Sequence, residues 1–463
     1  MRKYQQQQIL SLLGTIQKGQ KAALFEDCQE CVQACIEFIE GIKGKGTKTV
    51  QLLKDHNELL EKAKKTRVDK ELLKKRLRYI EKTVKEELTP QDKPEVVFLS
   101  YKASMSDSIE SIYLAAKNDP DVNTYFIPIP YFNKDAPSEM IYEGAEFYGD
   151  NIECTDYRDY DIKTRYPDVI FTFNPYDNTN YITSIHPDYY CNLIKDYTGC
   201  LVYIPYATSG KNIVNYESFC KVPGNVYANK VFIESDFVRD FYIKCFEEAY
   251  KDNYGNAKEK FIALGSPKYD KVINTKRDDY ALPDEWRKLT GDKKIVLYNT
   301  SVESVVDAKH TTEQFLEKLR SVFETFKKRD DLLLWYRPHP LTAASFKTMR
   351  RSLYDEYTQL IEEYINGAFG IYDDTADLHR AIAWSDMHYG DDNSVVQMYM
   401  VTGKPIIIQD YLSKLNPWSS LDEQSGDIIT EKEQPPICLD DDFAYNLDGT
   451  CGEKIWEYVK KKV

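Results

Sequence analysis

Apolar residues follow two different periods along the chain. Up to about residue 88 they recur at helical spacing, in a stripe from Ile9 to Ile39 that stops at the glycines of 41–46, and again over about 47–63 and 70–87. We therefore expect three helices, which form an appendage over residues 1–90.

From Pro94 onward, the apolar residues form short runs rich in β-branched and aromatic side chains. A first set lies at 96–99, 125–129, 169–173, 201–204, 230–233 and 261–264, and a second set lies at 294–298, 332–336, 370–372, 387–389 and 405–408. Runs of this length, separated by polar or helical sequence, are typical of buried parallel strands. We predict an α/β protein with two Rossmann-like lobes facing a cleft, at 91–275 and 290–440, followed by a tail and a helix at 441–463.

Net charge narrows the range of partners. The chain carries a net charge of −14, which argues against a nucleic-acid partner, yet residues 1–90 hold 19 Lys/Arg against 13 Asp/Glu. This basic appendage either packs on itself or dimerises, or it docks on an anionic membrane surface. No apolar run of spanning length and no signal-peptide pattern is seen, so we expect a cytoplasmic protein, free or peripheral at the inner face of the membrane.

The ten cysteines are expected to be reduced. Cys28, Cys31 and Cys35 are spaced for one helical face, which raises the possibility of a metal site. A structural zinc site needs a fourth ligand at recognisable spacing, and none is nearby. We interpret these thiols as core residues and predict no metal site.

Polar motifs at strand ends are the candidate site, because ligands of such folds bind at the carboxyl ends of parallel strands. Arg337-Pro338-His339-Pro340 directly follows a predicted strand. An arginine fork suits phosphate oxygens, and a histidine can donate to them or move a proton. The alternative is a rigid surface turn.

Three weaker motifs also follow predicted strands. Asp391, Asn393 and Ser394 precede a predicted helix, so they form either an anion site or an ordinary helix cap. The other two motifs contain Thr300 with Ser301, and Gly265 with Lys268. Hydroxyls and a lysine beside a glycine suit a phosphate, although a Gly-Ser-Pro sequence is most often only a turn.

Taken in order and spacing, the motifs at 265–270, 337–340 and 385–396, with Pro405-Ile406-Ile407 after them, resemble the CDP-glycerol glycerophosphotransferase family over residues 95–435. The resemblance implies a GT-B-like fold whose second lobe holds the nucleotide donor, without a tightly bound cofactor or metal. It implies transfer of an alditol phosphate, glycerol phosphate first among them, from a CDP-alditol to a hydroxyl of a teichoic-acid-type polymer. It also places Arg337, His339, Asp391 and Ser394 around the donor pyrophosphate, with Gly265 and Lys268 at the edge.

The first lobe departs from the family pattern. The family has Trp-His-Gly-Thr after a strand, with that histidine proposed as the base, whereas this chain has Ile204-Pro205-Tyr206-Ala207-Thr208. A phenol with a pKa of about 10 is a poor base at neutral pH. Tyr206 is then an orienting donor, and His186 is either another base or a structural loop histidine. Ser209 and Lys211 are predicted phosphate contacts.

Two other functions fit the same residues. One is a sugar-nucleotide glycosyltransferase on the same fold. The other is a non-catalytic nucleotide-binding paralogue, which the tyrosine at position 206 favours. The expected partners are the activated donor and a polyol-phosphate or glycan acceptor, lipid-linked or soluble. The sequence leaves open the alditol, the acceptor and whether the protein is a homo-oligomer.

Overall fold

The computed structural model describes residues 1–65, 70–89, 93–210, 213, 217–306, 311–409, 411 and 443–461. Its strands are β1 Glu95–Ser100, β2 Asn123–Pro128, β3 Tyr131–Asn133, β4 Ala136–Ile141, β5 Val169–Thr172, β6 Thr183–Ile185, β7 Cys200–Tyr203, β8 Lys230–Ile233, β9 Phe261–Ala263, β10 Lys294–Thr300, β11 Leu332–Pro338, β12 Gly370–Tyr372, β13 Met387–Gly390 and β14 Ile406–Ile408. Its helices are α1 Lys3–Lys21, α2 Phe25–Lys43, α3 Lys48–Lys65, α4 Lys70–Glu87, α5 Glu110–Lys117, α6 Ile162–Arg165, α7 Cys191–Ile194, α8 Pro223–Tyr227, α9 Asp236–Tyr250, α10 Ala257–Lys260, α11 Pro267–Asn274, α12 Asp284–Thr290, α13 Glu303–Val306, α14 Thr312–Phe326, α15 Thr342–Met349, α16 Tyr354–Asn366, α17 Leu378–Trp384, α18 Ser394–Met400 and α19 Cys451–Lys460. The predicted α/β class is confirmed.

The N-terminal appendage is a bundle of four helices, in which α1 and α3 each pack against α2 and α4. The prediction of three helices was wrong, because the stripe from Ile9 to Ile39 is two helices separated by a turn at 22–24. Ala23 makes this turn with a left-handed φ of 63°. Cys28 and Cys35 lie in the bundle core beside Val32. Of the helices in the described ranges, none combines the length and the apolar character needed to cross a bilayer.

The first lobe is built on six parallel strands in the order β2-β1-β5-β7-β8-β9. These strands are the first set of apolar runs, and the central residues of β1, β5, β7 and β8 are fully buried. A small antiparallel sheet, β4-β3-β6, is formed by two strands that follow β2 and one that follows β5, and it was not predicted. Its strands lack the apolar signal, since four central residues of β4 are exposed.

The second lobe is a five-stranded parallel sheet in the order β12-β11-β10-β13-β14. Apolar side chains of alternating positions enter two separate cores. Val296 and Leu334 pack in one core with α14 and α16, whereas Leu297 and Leu333 pack in the other with α17. Helices therefore cover both faces, which explains why the strands are continuous apolar runs in the sequence.

The end of the chain returns to the first lobe. Ile455, Trp456 and Val459 of α19 lie in the core of that lobe, and α19 packs along α5. The indole of Trp456 donates to Asp119, which follows α5, at 3.0 Å. The first lobe is thus completed by residues more than 300 positions downstream of its first strand.

Strand-end loops of the first lobe contact helices of the second. A Cβ at Gly210, after β7, would lie 3.0 Å from Oε1 of Gln397 on α18. Helix α11, after β9, packs against α17 and α18. The carboxyl ends of the two sheets therefore approach each other, as in the GT-B-like arrangement that the sequence predicts.

Candidate functional site

The second sheet reverses its strand order between β10 and β13. Open α/β sheets bind ligands at such a point. Nδ2 of Asn393, after β13, donates to Oδ1 of Asn299 on β10 at 2.8 Å. Nδ2 of Asn299 in turn donates to the carbonyl of Arg337 on β11 at 2.7 Å. Side-chain amides therefore link the three strand ends that carry the predicted donor-binding residues.

Asp391 holds these strand ends together through buried hydrogen bonds. It is buried, and its carboxylate accepts hydrogen bonds from the Ser301 N–H at 2.6 Å, from the Ser304 hydroxyl at 2.5 Å and from Nε2 of Gln409 at 2.6 Å. These three hydrogen bonds hold the loops around Asp391 in place and fill most of the acceptor positions of its carboxylate. In this structure, Asp391 acts on the site through Ser301.

The predicted hydroxyls differ in their accessibility. Thr300 is fully buried, with its Oγ1 3.3 Å from the hydroxyl of Tyr336. Ser394 is the exposed first residue of α18, and Asn393 caps that helix by accepting from the Val395 N–H at 2.9 Å. Ser301 is half-buried. The Ser301 hydroxyl already contacts that of Ser304 at 3.1 Å, so Ser394 is the more available of the two to a ligand, whereas Thr300 belongs to the packing beneath.

Arg337 lies at the end of β11 and is paired with a residue that sequence reasoning missed. Its guanidinium contacts Asp373 at 2.8 Å and donates to the carbonyl of Thr375 at 2.6 Å. Asp373 is fully buried, and Arg380 lies 3.7 Å from its other oxygen. Two arginines thus share one buried carboxylate at this strand end, in a loop that also carries Asp374 and Asp377. A signal for Asp373 existed, since it directly follows the apolar run at 370–372.

His339 is half-buried beyond the same strand. Its Nδ1 accepts from the N–H of Leu341 at 3.1 Å, so the neutral ring carries its proton on Nε2. Burial lowers the pKa of this imidazole. A neutral ring with Nε2–H can donate to a phosphate oxygen.

The predicted first-lobe residues do not form one cluster. The hydroxyl of Tyr206 lies 3.1 Å from that of Tyr176, and burial, with Tyr176 beside it, raises the pKa of Tyr206 well above its usual range. His186 lies beyond β6, where its Nδ1 accepts from the N–H of Asp188 at 3.3 Å. The rings near His186 belong to Phe132 and Tyr189, in its own neighbourhood.

Ser209 contacts a second residue that the sequence reasoning missed. Its N–H donates to Oε1 of Glu234 at 2.8 Å, and its hydroxyl lies 3.4 Å from Oε2. Glu234 directly follows β8 and is buried. Glu234, Ser209 and Gly265 line one narrow cavity. Lys211, the other predicted phosphate contact of this loop, lies outside the described residues.

Lys268 is held in a buried ion cluster between the lobes. Its Nζ lies 2.7 and 2.8 Å from the two oxygens of Asp107, and Nε2 of His379 lies 2.9 Å from Oδ2. The pKa of Asp107 is lowered by the charges of Lys268 and His379 against the effect of its burial. The predicted donor contact of Lys268 is not tested by this geometry, but its charge is already neutralised.

Gly265 and Asp270 fix the C-terminal segment. Gly265 has a φ of +99°, and a Cβ there would lie 2.3 Å from the carbonyl oxygen of Tyr445. Asp270 accepts from the N–H groups of Cys451 and Gly452 at 3.0 and 2.7 Å, at the start of α19. The backbone that approaches the glycine is therefore the chain's own, and the 265–270 turn anchors α19.

A family model described as CDP-Glycerol:Poly(glycerophosphate) glycerophosphotransferase matches residues 241–414. That range contains the motifs at 265–270, 337–340 and 391–394 but not the first-lobe stretch at 204–211. The predicted family resemblance is confirmed over this range, which is less than half of the chain. A comparison with curated proteins found no match.

Solved structures resemble the chain at low identity. The wall teichoic acid polymerase TagF is 13% identical, with a TM-score of 0.47, over 89% of this chain and 97% of that chain. A UDP-N-acetylglucosamine 2-epimerase from Listeria monocytogenes is 12% identical, with a TM-score of 0.47, over 80% and 96%. The S. aureus protein MnaA, in a structure with UDP, is 13% identical, with a TM-score of 0.46, over 80% and 96%. Similarities of this size carry no conclusion about chemistry.

We predict that Gly265→Ala destabilises the protein more than Gly255→Ala. Gly265 and Gly255 have φ values of +99° and +94°, so both substitutions impose a backbone strain of about 1–2 kcal/mol. At Gly255 a Cβ meets open space, whereas at Gly265 it meets the Tyr445 backbone, which adds roughly 1–3 kcal/mol. Urea unfolding measures both losses, and equal losses would contradict the anchoring role of Gly265.

Lys268→Met should reduce the free energy of unfolding by about 3–5 kcal/mol, because it removes the cation that pairs with both oxygens of buried Asp107 and leaves only His379 beside it. Lys454→Met is the control, since the exposed Lys454–Asp448 pair contributes at most about 1 kcal/mol. Thermal and urea unfolding of both variants provide the comparison. A loss no larger than that of the control, together with weakened binding of CDP-glycerol, would instead support the predicted donor contact.

Proposed function

We propose that the chain transfers an alditol phosphate, glycerol phosphate in the first place, from a CDP-activated donor to a hydroxyl of a cell-surface polymer or its precursor. One observation carries this proposal: the family model covers the motifs that meet at the strand-order reversal of the second sheet. A pyrophosphate needs positive charge and hydrogen-bond donors, and this strand edge offers both.

The donor side of the proposed site is the second lobe. Arg337 and Arg380 beside Asp373 provide the guanidinium groups. His339 offers its Nε2–H, and the hydroxyls of Ser301 and Ser394 lie at the neighbouring strand ends. Asn393 and Asp391 hold these groups in place through Asn299 and Ser301. Such preorganised donors are the main source of catalysis in phosphoryl transfer.

In the proposed reaction, the acceptor hydroxyl attacks the phosphorus that bears the alditol. The new P–O bond forms as the bond to the bridging oxygen breaks, and the electron pair leaves with CMP. Arg337 neutralises charge that develops on the phosphoryl oxygens, and His339 donates to one of them. Gly265 and Lys268 shape the edge of the cleft through the contacts that they make within the protein.

Several finer predictions accompany this function. The reaction is proposed to need no tightly bound cofactor. The acceptor is proposed to be a polyol phosphate or a glycan, lipid-linked or soluble, and the protein to act in the cytoplasm or at the inner face of the membrane. Docking of residues 1–90 on an anionic membrane and formation of a homo-oligomer remain predictions.

The purified protein, incubated with CDP-glycerol and in parallel with CDP-ribitol, is expected to release CMP only when an alditol-phosphate acceptor is present. Arg337→Ala should lower kcat by about 10²-fold or more, because it removes positive charge from the phosphoryl oxygens. Arg329→Ala is the control, because Arg329 precedes the opposite end of β11 and pairs with the exposed Asp331. This control should retain the kcat of the wild type.

The alternatives give different outcomes in the same assay. A glycosidic product from a sugar nucleotide would identify a glycosyltransferase. Donor binding without CMP release would support the non-catalytic paralogue, which the raised pKa of Tyr206 favours. Equal activity of the Arg337 and Arg329 variants would remove Arg337 from the site.

A further inference from the structure

The proposed transfer leaves open where the proton of the attacking hydroxyl goes. The phenol of Tyr206 is unsuited, because its raised pKa keeps it protonated and unable to accept. The described contacts of His186 are all within residues 130–190. The other strand ends of the first lobe are the remaining places at which that lobe can supply a proton acceptor to the cleft.

Glu234 has the required place in the fold. It is the first residue after β8, at the carboxyl edge of the first sheet. The cavity beside it is lined by residues that follow three neighbouring strands: Ser209 after β7, Glu234 itself after β8, and Gly265 after β9. The same loop that contacts Glu234 through Ser209 touches Gln397 of the second lobe through Gly210. Glu234 is thus connected through Ser209 and Gly210 to α18, the helix that begins at Ser394.

The surroundings of Glu234 bring the pKa of its carboxyl group close to neutral pH. Burial raises its pKa to about 7, against the opposing effect of hydrogen bonds from Ser209 and Gly210. Tyr242 on α9 and Tyr269 on α11 are the titratable groups that face it in the described part of the chain, and neither carries a positive charge. Lys211, in the same loop, lies outside the described residues. A carboxyl with such a pKa is half ionised at neutral pH, which suits a general base.

We propose that Glu234 is the proton acceptor for the attacking hydroxyl, an assignment that rests on the proposed transfer function. The carboxylate takes the hydroxyl proton as the oxygen forms its bond to phosphorus. The bond from phosphorus to the CMP oxygen breaks, and CMP leaves with the electron pair. Oε1 stays bonded to the Ser209 N–H at 2.8 Å, and the carboxylate also accepts a hydrogen bond from the Gly210 backbone, while Oε2, 3.4 Å from the Ser209 hydroxyl, receives the proton. Glu234 then loses this proton to solvent before the next turnover.

The test compares Glu234→Gln with wild type in acceptor-dependent CMP release. The amide preserves the size of the side chain and an oxygen for the Ser209 N–H, so folding and KM for CDP-glycerol should change little. We expect kcat to fall by about 10²-fold or more. The wild-type kcat should fall below a pH of about 7, as Glu234 becomes protonated. The variant should lack this acidic limb.

Glu143→Gln is the matched control. Glu143 is a half-buried carboxylate of the first lobe that accepts one backbone N–H, from Ala103 at 2.7 Å, and one hydroxyl, from Tyr131 at 2.9 Å. It should keep the wild-type kcat and the acidic limb. If Glu234→Gln fails to fold, Glu234→Asp is the second variant. Its shorter side chain keeps the acid but holds it farther from the substrate, so it should lower kcat while keeping the acidic limb of the pH profile.

The outcomes separate the two proposals. A wild type that binds CDP-glycerol but releases no CMP refutes the transfer function, and the role of Glu234 falls with it. An active wild type, whose kcat and acidic limb are reproduced by Glu234→Gln within about threefold, refutes the role of Glu234 alone. A kcat loss in Glu143→Gln equal to that in Glu234→Gln also overturns it, since any buried carboxylate would then produce the effect.

Discussion

The arrangement of the cleft depends on one buried charge. Asp107 is enclosed between the lobes, and its oxygens are held by Lys268 at 2.7 and 2.8 Å and by His379 at 2.9 Å. Lys268 lies 161 positions after Asp107 in the chain, and His379 lies 272 positions after it. Because an uncompensated buried charge is strongly destabilising, the segments after β1, after β9 and on α17 must keep their places together. This ion cluster therefore fixes the position of one lobe relative to the other.

The same physics explains why motifs that resemble ligand sites are only partly available to ligands. A loop at a strand end must satisfy its own backbone groups before it can hold a substrate. Asp391 does so for Ser301 after β10, and Asp270 does so for the start of α19. Side chains that remain available, such as Ser394 and His339, lie just beyond these braces. Structural and ligand-binding residues therefore alternate within a single motif.

Much of the fold could be predicted from the sequence, because a strand buried on both faces must be apolar throughout. All eleven predicted strands are present in the two parallel sheets. The sheet of β3, β4 and β6 could not be predicted, since its strands are short and partly exposed. The turn at Ala23 was equally unpredictable from the sequence, because helix-forming residues surround it. Only packing among the four helices decides where the chain reverses.

The candidate site was predictable in its positions but not in its partners. Arg337 and His339 stand where the strand pattern places them. Their neighbours could not be inferred, because the roles of Asp373 and Glu234 depend on which strands adjoin. A buried acid directly after an apolar run is nevertheless a usable signal, which both residues share. Asp107 offers no such signal, since it lies seven residues beyond its strand.

The return of α19 to the first lobe has a consequence for synthesis in the cell. Chains emerge from the ribosome from the N-terminus, and a domain generally folds once its last residue is free. The first lobe begins at β1, but its core is complete only when Ile455, Trp456 and Val459 have been made. During translation, the second lobe is therefore finished before the first. The nascent first lobe meanwhile exposes the apolar surface that α19 later covers, and this interval is when the chain is most open to chaperones and to aggregation.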